Sequence, residues 1–312
     1  MVDDGDEDEL DELLGEQLAL IPRSDLPPIV RVDTPKGSTK DLREYYGWTL
    51  DKLEVLRLYL MMYRRVASKG VYIDGFAGPG AGTFRGEVHL GSPLLALSSG
   101  AFRDYWLYEL DGDTVGALKR RIEEEFPSQA GRVRVRDVDC NVGITDLLAS
   151  AQVPTDVPIF AFLDQESTQL AWSTVEALAR CKEPVDPPER CRTELFILFN
   201  TDQVVARLRS RRTRESGSGE AAALDRIMGG RDAWQDLLDS GASPGEYALR
   251  YARRIEALGY RHVWPQPVFD PANRQRQYHM IFASDHDAAA RFMKWAKKAS
   301  HAFRDQSFPG WD

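Results

Sequence analysis

The chain has 312 residues, 43% of them hydrophobic and 29% charged, with a formal net charge of -9. That length supports one large domain or one domain with an added cap, and no apolar run approaches the roughly 18 residues of a membrane span. Three cysteines (Cys140, Cys181 and Cys191) without C-x-x-C spacing, and no histidine pair with metal spacing, argue against a disulfide framework or a metal centre.

The negative charge is concentrated at the start, where residues 1–16 hold nine acids and no base and leave the other 296 residues formally neutral. An acidic N-terminus is unlike the basic start of a signal peptide, so a cytoplasmic location without membrane attachment is expected. Pro22, Pro27, Pro28, Pro35 and Gly37 follow, so residues 1–40 read as an acidic mobile tail and residues 41–312 as the folded domain. Thr49 to Val66 reads as a helix, with Thr49 as its cap and Leu53, Leu56, Leu60 and Tyr63 on one face. Val71, Tyr72 and Ile73 then form a buried strand ending in Asp74, where Gly75, Gly78, Gly80 and Gly82 let the backbone turn and approach a ligand. A glycine cluster after a strand also reads as an ordinary loop. A phosphate-cradling P-loop fails, because no lysine lies between Lys69 and Lys119; the spacing also departs from G-x-G-x-x-G, and Pro79 removes an amide donor. The next helix start, Ser92-Pro93, lies too far along the chain to aim its dipole tightly at this loop, so a ligand without phosphate fits better.

Further on, Tyr105 to Tyr108 read as a second strand ending in Glu109, followed by a helix from Thr114 to Phe126. Val133 to Arg136 form a third strand, ending at Asp139 and Cys140, with Ile144 to Ala151 helical. Ile159 to Leu163 form a fourth strand closed by Asp164, Gln165 and Glu166, then a helix near Ser173 to Arg180, and Glu194 to Phe199 form a fifth. Arg207 to Arg214 contain five arginines, including Arg211 and Arg212, placed to hold nucleic-acid phosphates or simply to form a solvated loop. Residues 203–258 read as a mostly helical insertion, with helices at Ala221 to Ile227, Arg231 to Leu238 and Pro244 to Leu258. His262 to Phe269 and Gln277 to Ala283 read as a closing antiparallel hairpin before a helix from Asp287 to Ala299. Strands alternating with helices predict an α/β fold with a parallel sheet covered on both faces.

A five-strand α/β sheet finished by a hairpin resembles the class I S-adenosylmethionine (SAM) methyltransferase arrangement, a Rossmann-like sheet of order 3-2-1-4-5-7-6 with flanking helices. Four successive strands end in acids, Asp74, Glu109, Asp139 and Asp164. Any one of them reads equally as a helix cap, but carboxylates suit the ribose hydroxyls, adenine amino group and ammonium of SAM, all of which donate hydrogen bonds. Glu109 is then the candidate for the ribose diol and Asp139, with Cys140 beside it, for the adenine edge, while Gly75, Gly78 and Gly80 leave room for the methionine portion. An acid after the second strand also serves the diol in NAD-binding proteins, so an NAD-dependent oxidoreductase is a weaker alternative.

The sequence also resembles the three-Cys-motif partner protein (TcmP) family, from about Trp48 to Lys298. The resemblance is carried by Leu50 to Leu60, Val71-Tyr-Ile-Asp-Gly-Phe-Ala-Gly-Pro-Gly80, Leu195-Phe-Ile-Leu-Phe199 and Tyr278-His-Met-Ile-Phe-Ala-Ser-Asp-His286. It implies a methyltransferase fold, SAM binding and, in some settings, a partner enzyme of radical-SAM type with a three-Cys motif. Where fold relatives acting on nucleic-acid amines carry Asp-Pro-Pro-Tyr, this chain has Asp164-Gln165-Glu166-Ser167. Asp164 and the Gln165 carbonyl are the candidates for gripping an amine, Glu166 for a base, and Trp172 either replaces the stacking ring or packs in the core. The leading expectation is a SAM-dependent methyltransferase acting on a nucleobase amine or small metabolite; the alternative is a SAM-binding accessory protein without catalysis.

Overall fold

The computed structural model describes residues 42–67, 69–150, 152–154, 157–182, 192–201, 203–204, 219–269 and 276–307. The expected tail, and Arg211 and Arg212 with their arginine run, lie outside the described residues. The chain opens with a short strand, β1 (Arg43–Glu44), and a long helix, α1 (Gly47–Val66). It continues through β2 (Gly70–Asp74), β3 (Ala81–Phe84), β4 (Glu87–Leu90), α2 (Ser92–Ser99), β5 (Phe102–Glu109), α3 (Gly112–Glu125), β6 (Val133–Asp137) and α4 (Cys140–Ala149). Then come β7 (Ile159–Leu163), α5 (Trp172–Arg180), β8 (Glu194–Phe199), α6 (Gly219–Met228), α7 (Gln235–Asp239), α8 (Pro244–Ala257), β9 (His262–Phe269), β10 (Arg276–Ser284) and α9 (Asp287–Ser307).

The main sheet has seven strands in the order β6-β5-β2-β7-β8-β10-β9. Counting only its own strands along the chain, this is 3-2-1-4-5-7-6. The first five are parallel, and β10 runs antiparallel to both β8 and β9. Because successive side chains in a strand point to opposite faces, each strand feeds two cores. Val71, Ile73, Ile159, Ala161, Leu163, Leu195 and Ile197 pack on one face with α4, α5 and the helices after β8. Tyr72, Phe160, Phe162, Phe196 and Phe282 pack on the other, under α1, α2 and α9. Strands buried on both faces read as continuous apolar runs, which is why β7 and β8 have the boundaries expected from sequence.

Several local expectations are corrected. Helix α1 starts at Gly47, with Tyr46 at its cap; Thr49 lies three residues inside, where its hydroxyl accepts the Tyr46 N–H at 3.4 Å. Helix α4 begins at Cys140, because the Asp139 carboxylate accepts the Asn141 N–H at 2.8 Å and caps it four residues before Ile144. Residues 231–238 divide into a 3-10 turn, Arg231–Ala233, and α7. The glycine-rich stretch after Asp74 is partly strand: β3 and β4 form a hairpin whose turn, Arg85-Gly86, has φ of 50° and 82°. Two central residues at positive φ match the twist of a tight hairpin, but Arg-Gly is a weaker signal for it than Asn-Gly. Strand β1 pairs parallel to β3 and completes a second, three-stranded sheet. No helix among the described residues is long and apolar enough to cross a membrane.

The close approach at Gly82 makes the attachment of β1 testable. A Cβ there would lie 2.4 Å from the Tyr45 ring and 2.5 Å from the Arg43 carbonyl oxygen. Gly82→Ala is expected to destabilise the protein by about 1–3 kcal/mol, as overpacking does. Gly131→Ala, where a Cβ meets nothing within 4 Å, should leave the denaturation midpoint unchanged. Equal midpoints for both variants would refute the contact.

Candidate functional site

The carboxyl ends of β2, β7 and β8 open into a cavity of about 300 Å³. Its floor is the loop Phe76 to Pro79 after β2 and the turn Asp164 to Glu166 after β7; its opposite wall is Arg43, Tyr46, Trp48 and Lys52, from β1 and the start of α1. Tyr278 of β10 and Asn200 beyond β8 close the side. Sheets of this kind bind ligands at the carboxyl ends of their strands, where the topology reverses beside the first strand.

The glycines have separate jobs. At Gly78, φ is +59° and a Cβ would meet nothing within 4 Å, so this backbone faces open space. At Gly75 a Cβ would lie 2.8 Å from Leu163, and at Gly80, with φ of +83°, 2.7 Å from Leu118. Gly75 and Gly80 therefore let the loop pack on the core, and Gly78 is the one that lines the cavity. Glu109, at the end of β5, ties this loop down: Oε2 accepts the Gly78 N–H at 3.0 Å, while Oε1 accepts the Leu110 and Asp111 N–H groups at 2.9 and 3.0 Å. An ionised carboxylate offers about four acceptor sites, so this one keeps capacity for a ligand hydroxyl. Asp139, exposed at the end of β6, engages Asn141 through Oδ1 only, and its Oδ2 has no hydrogen-bond partner among the described residues.

Asp74 and Cys140 are placed differently from the expectation that they touch a ligand. Asp74 is fully buried, and its carboxyl accepts from the Tyr72 hydroxyl and the Phe76 N–H, both at 3.1 Å. It also bonds Ser92 at the start of α2, and the Gly91 N–H donates to the Gly80 carbonyl at 2.6 Å. This corrects the expectation that α2 stands away from the loop: the β3–β4 hairpin folds the chain back and brings the helix N-terminus to it. That positive helix end is met by the buried Asp74. Burial pushes the Asp74 carboxyl up to about 7 against the opposing effect of its hydrogen bonds. The Cys140 thiol lies beneath Gly75, and burial pushes it up to about 12, so it is a packed, protonated thiol.

At the end of β7, Lys52 Nζ forms a salt bridge with Asp164 Oδ2, while Oδ1 has no hydrogen-bond partner among the described residues. Lys52 lies in the cavity wall, almost fully buried, and also sits 6.0 Å above the Tyr278 ring. Sequence reading missed it, since a lysine on an amphipathic helix reads as solvated. The Gln165 side chain is turned inward and buried, with Nε2 donating to the Leu198 carbonyl at 3.1 Å and Oε1 accepting the Leu170 N–H at 2.9 Å. Only its backbone is left for a chemical role. Glu166 is exposed and pairs with Arg43 at 2.7 Å.

Trp172 is not in this site, which corrects its candidacy for substrate stacking. It packs edge-on against Tyr251 at 5.3 Å, with the Arg254 guanidinium 4.5 Å from its ring, in the core on the other face of the sheet. Aromatic rings that do line the cavity are Tyr45, Phe76, Tyr278 and the pair Tyr46 and Trp48, the last two stacked with centroids 4.6 Å apart and planes 3° from parallel. His279 is buried and bonds Thr201 at 2.7 Å, and His89 is buried in β4. Among the described residues no group of three or more His, Cys, Asp or Glu side chains is placed to hold a metal ion.

No protein-family model matches the sequence, and no curated protein does. Among solved structures, a protein of the DUF519 family from Legionella pneumophila str. Philadelphia 1 superposes with a TM-score of 0.53 at 11% identity, covering 85% of this chain and 94% of that one. At that identity the likeness is one of fold, and it establishes an α/β fold with a mostly parallel central sheet and flanking helices. Looser matches include a spermidine synthase in complex with the transition-state analogue AdoDATO, at TM-score 0.42 and 11% identity over 80% of this chain and 63% of that one. The methyltransferase domain of a bacterial Hen1 matches at TM-score 0.37 and 11% identity, over 75% of this chain and 98% of that one.

Two buried carboxyls give the site's scaffold a pH dependence. Asp74 is raised from 3.8 to about 7, and Glu194, which Tyr59 and Ser284 hydrogen-bond, from 4.5 to about 7, both mainly by burial. Each holds its proton more tightly folded than unfolded, so the stability it contributes is full below the unfolded value and is lost as pH rises through the folded one. The expected slope is up to about 1.4 kcal/mol per pH unit for each group. Urea titrations from pH 4 to 8 should show a fall in stability that is shallower in Glu194→Gln and in Asp74→Asn than in the parent; parallel profiles would refute the assignment.

Proposed function

We propose that the chain is a SAM-dependent methyltransferase acting on a nucleobase amine or a small metabolite. The observation that carries this reading is the set of carboxylates after β5, β6 and β7, of which Glu109 holds the Gly78 N–H and Asp164 lines the cavity with Gly78. The residues present fit the cofactor: Glu109 keeps acceptor capacity for the ribose diol, Asp139 Oδ2 for the adenine amino group, and the Gly78 backbone faces space for the methionine portion.

When bound, SAM supplies an electrophilic methyl group on a sulfonium, which leaves with the bonding electron pair. The protein's part is positioning and a proton acceptor. Asp164 Oδ1 accepts a hydrogen bond from the N–H of the acceptor amine, directs the nitrogen lone pair, and receives the proton the nitrogen sheds. Lys52 holds the other oxygen, Oδ2, fixes the carboxylate's orientation and balances its charge in a partly buried setting. The backbone of Gln165, its side chain locked to Leu198 and Leu170, holds the turn after β7 rigid where Asp-Pro-Pro-Tyr proteins use prolines.

A second reading is a SAM-binding accessory protein that works beside a three-Cys-motif partner of radical-SAM type, without transfer of its own. The observation that favours it is the Lys52 ammonium, which already engages one oxygen of the carboxylate needed for catalysis.

Calorimetry with SAM and its demethylated product, together with label transfer to nucleosides, RNA, DNA and a metabolite extract, tests both. Glu109→Gln is expected to weaken binding of the demethylated product about tenfold, the loss of one charge-assisted hydrogen bond. Asp164→Asn should retain that binding while transfer falls at least about a hundredfold, as for loss of a proton acceptor. Binding without transfer to any acceptor would support the accessory role, and no binding at all would sink both readings.

A further inference from the structure

We propose that Tyr46 and Trp48 form the acceptor subsite of this cavity, a stacking platform for a neutral, planar nucleobase whose exocyclic amine is directed onto Asp164. The proposal rests on the methyltransferase reading and names its substrate class. The two rings are stacked at 4.6 Å and line the same cavity as Asp164. Tyr46 occupies the N-cap of α1, a position that Ser, Thr, Asp and Asn serve and a tyrosine side chain does not, and it is 51% exposed. Helix stability and core packing therefore leave this ring unexplained, whereas a base stacked on an aromatic side chain accounts for it.

The platform is held in place before any ligand arrives. The Tyr278 hydroxyl, from β10, donates to the Trp48 carbonyl at 2.8 Å. The Tyr45 N–H donates to the Thr83 carbonyl at 2.8 Å, and β1 is paired with β3 just upstream. Charge selects the part of a nucleotide that enters. The cavity's cations, Arg43 and Lys52, are each engaged by an acid, Glu166 and Asp164, and Glu44 adds a further carboxylate. Among the described residues a phosphate would meet no uncommitted cation there, while an uncharged base meets rings and an acceptor oxygen. At about 300 Å³ the cavity lies at the small end of ligand sites.

The test is calorimetry on the full chain with AMP, CMP and GMP and with a single-stranded 12-mer RNA and DNA containing all four bases, each in the presence of the demethylated product of SAM. Tyr46→Ala and Trp48→Ala are expected to raise the Kd of the binding probe roughly five- to a hundredfold, the range for loss of one base stack. Trp48→Phe should recover most of the affinity, and affinity for the SAM product, measured in every variant, reports that the fold is intact. Binding of mononucleotides identifies a free nucleotide as the source of the base; binding of the 12-mers alone identifies a strand. The proposal is overturned if no base probe binds while the SAM product does, or if a probe binds the parent and both alanine variants equally. Failure of the SAM product to bind, with base binding still lost in the variants, would overturn the methyltransferase reading and leave the base subsite standing.

Discussion

Helix α1 lies against one face of the sheet through interleaved aromatic rings. Tyr59 meets Phe160 at 5.4 Å and Phe282 at 5.3 Å, and Tyr63 meets Phe102 at 5.0 Å. The Tyr59 hydroxyl donates to the buried Glu194 of β8, which pins the helix's rotation as well as its position. Lys52 lies seven residues, two turns, before Tyr59 and so shares its face. The packing that buries Tyr59 therefore carries Lys52 to Asp164, and the cavity wall inherits its geometry from the core beneath it.

The acids at the strand ends divide by environment. Asp74 is sealed under the glycine loop, where it accepts from Tyr72, Phe76 and the start of α2, so its work is to hold the loop in shape. Glu109 and Asp139 lie nearer to solvent and keep acceptor capacity, and Asp164 sits in the cavity against an ammonium. Burial favours the neutral form of the Asp74 carboxyl. Identical chemistry at the ends of neighbouring strands thus takes up a buried structural place at Asp74 and open or ion-paired places at Glu109, Asp139 and Asp164.

The β3–β4 hairpin joins these parts. By folding back it delivers the N-terminus of α2 to the glycine loop and offers β3 as the partner for β1, which sets the start of α1 at the cavity mouth. The residues just before α1 consequently belong to the site although they precede every strand of the main sheet. Stacking of Tyr46 on Trp48 orders the two rings together.

Much of the architecture follows from patterns written along the chain. Continuous apolar runs marked β7 and β8, acids closed four successive strands, and the closing run of β9 and β10 supplied the hairpin. These are short-range signals, set by the two-residue period of strands and by turn chemistry. The site's partners were not legible in the same way. Lys52 and Asp164 meet across 112 residues, and nothing local distinguishes that lysine from a solvated one. Trp172, close in sequence to Asp164, reads either as a stacking ring or as core, and the helix it begins turns it into the opposite core against Tyr251. Sequence determined which elements form and where their acids fall, because period and turn residues act locally. Only the tertiary structure decided which side chains face one another across the cavity, because that depends on how α1 packs on the sheet.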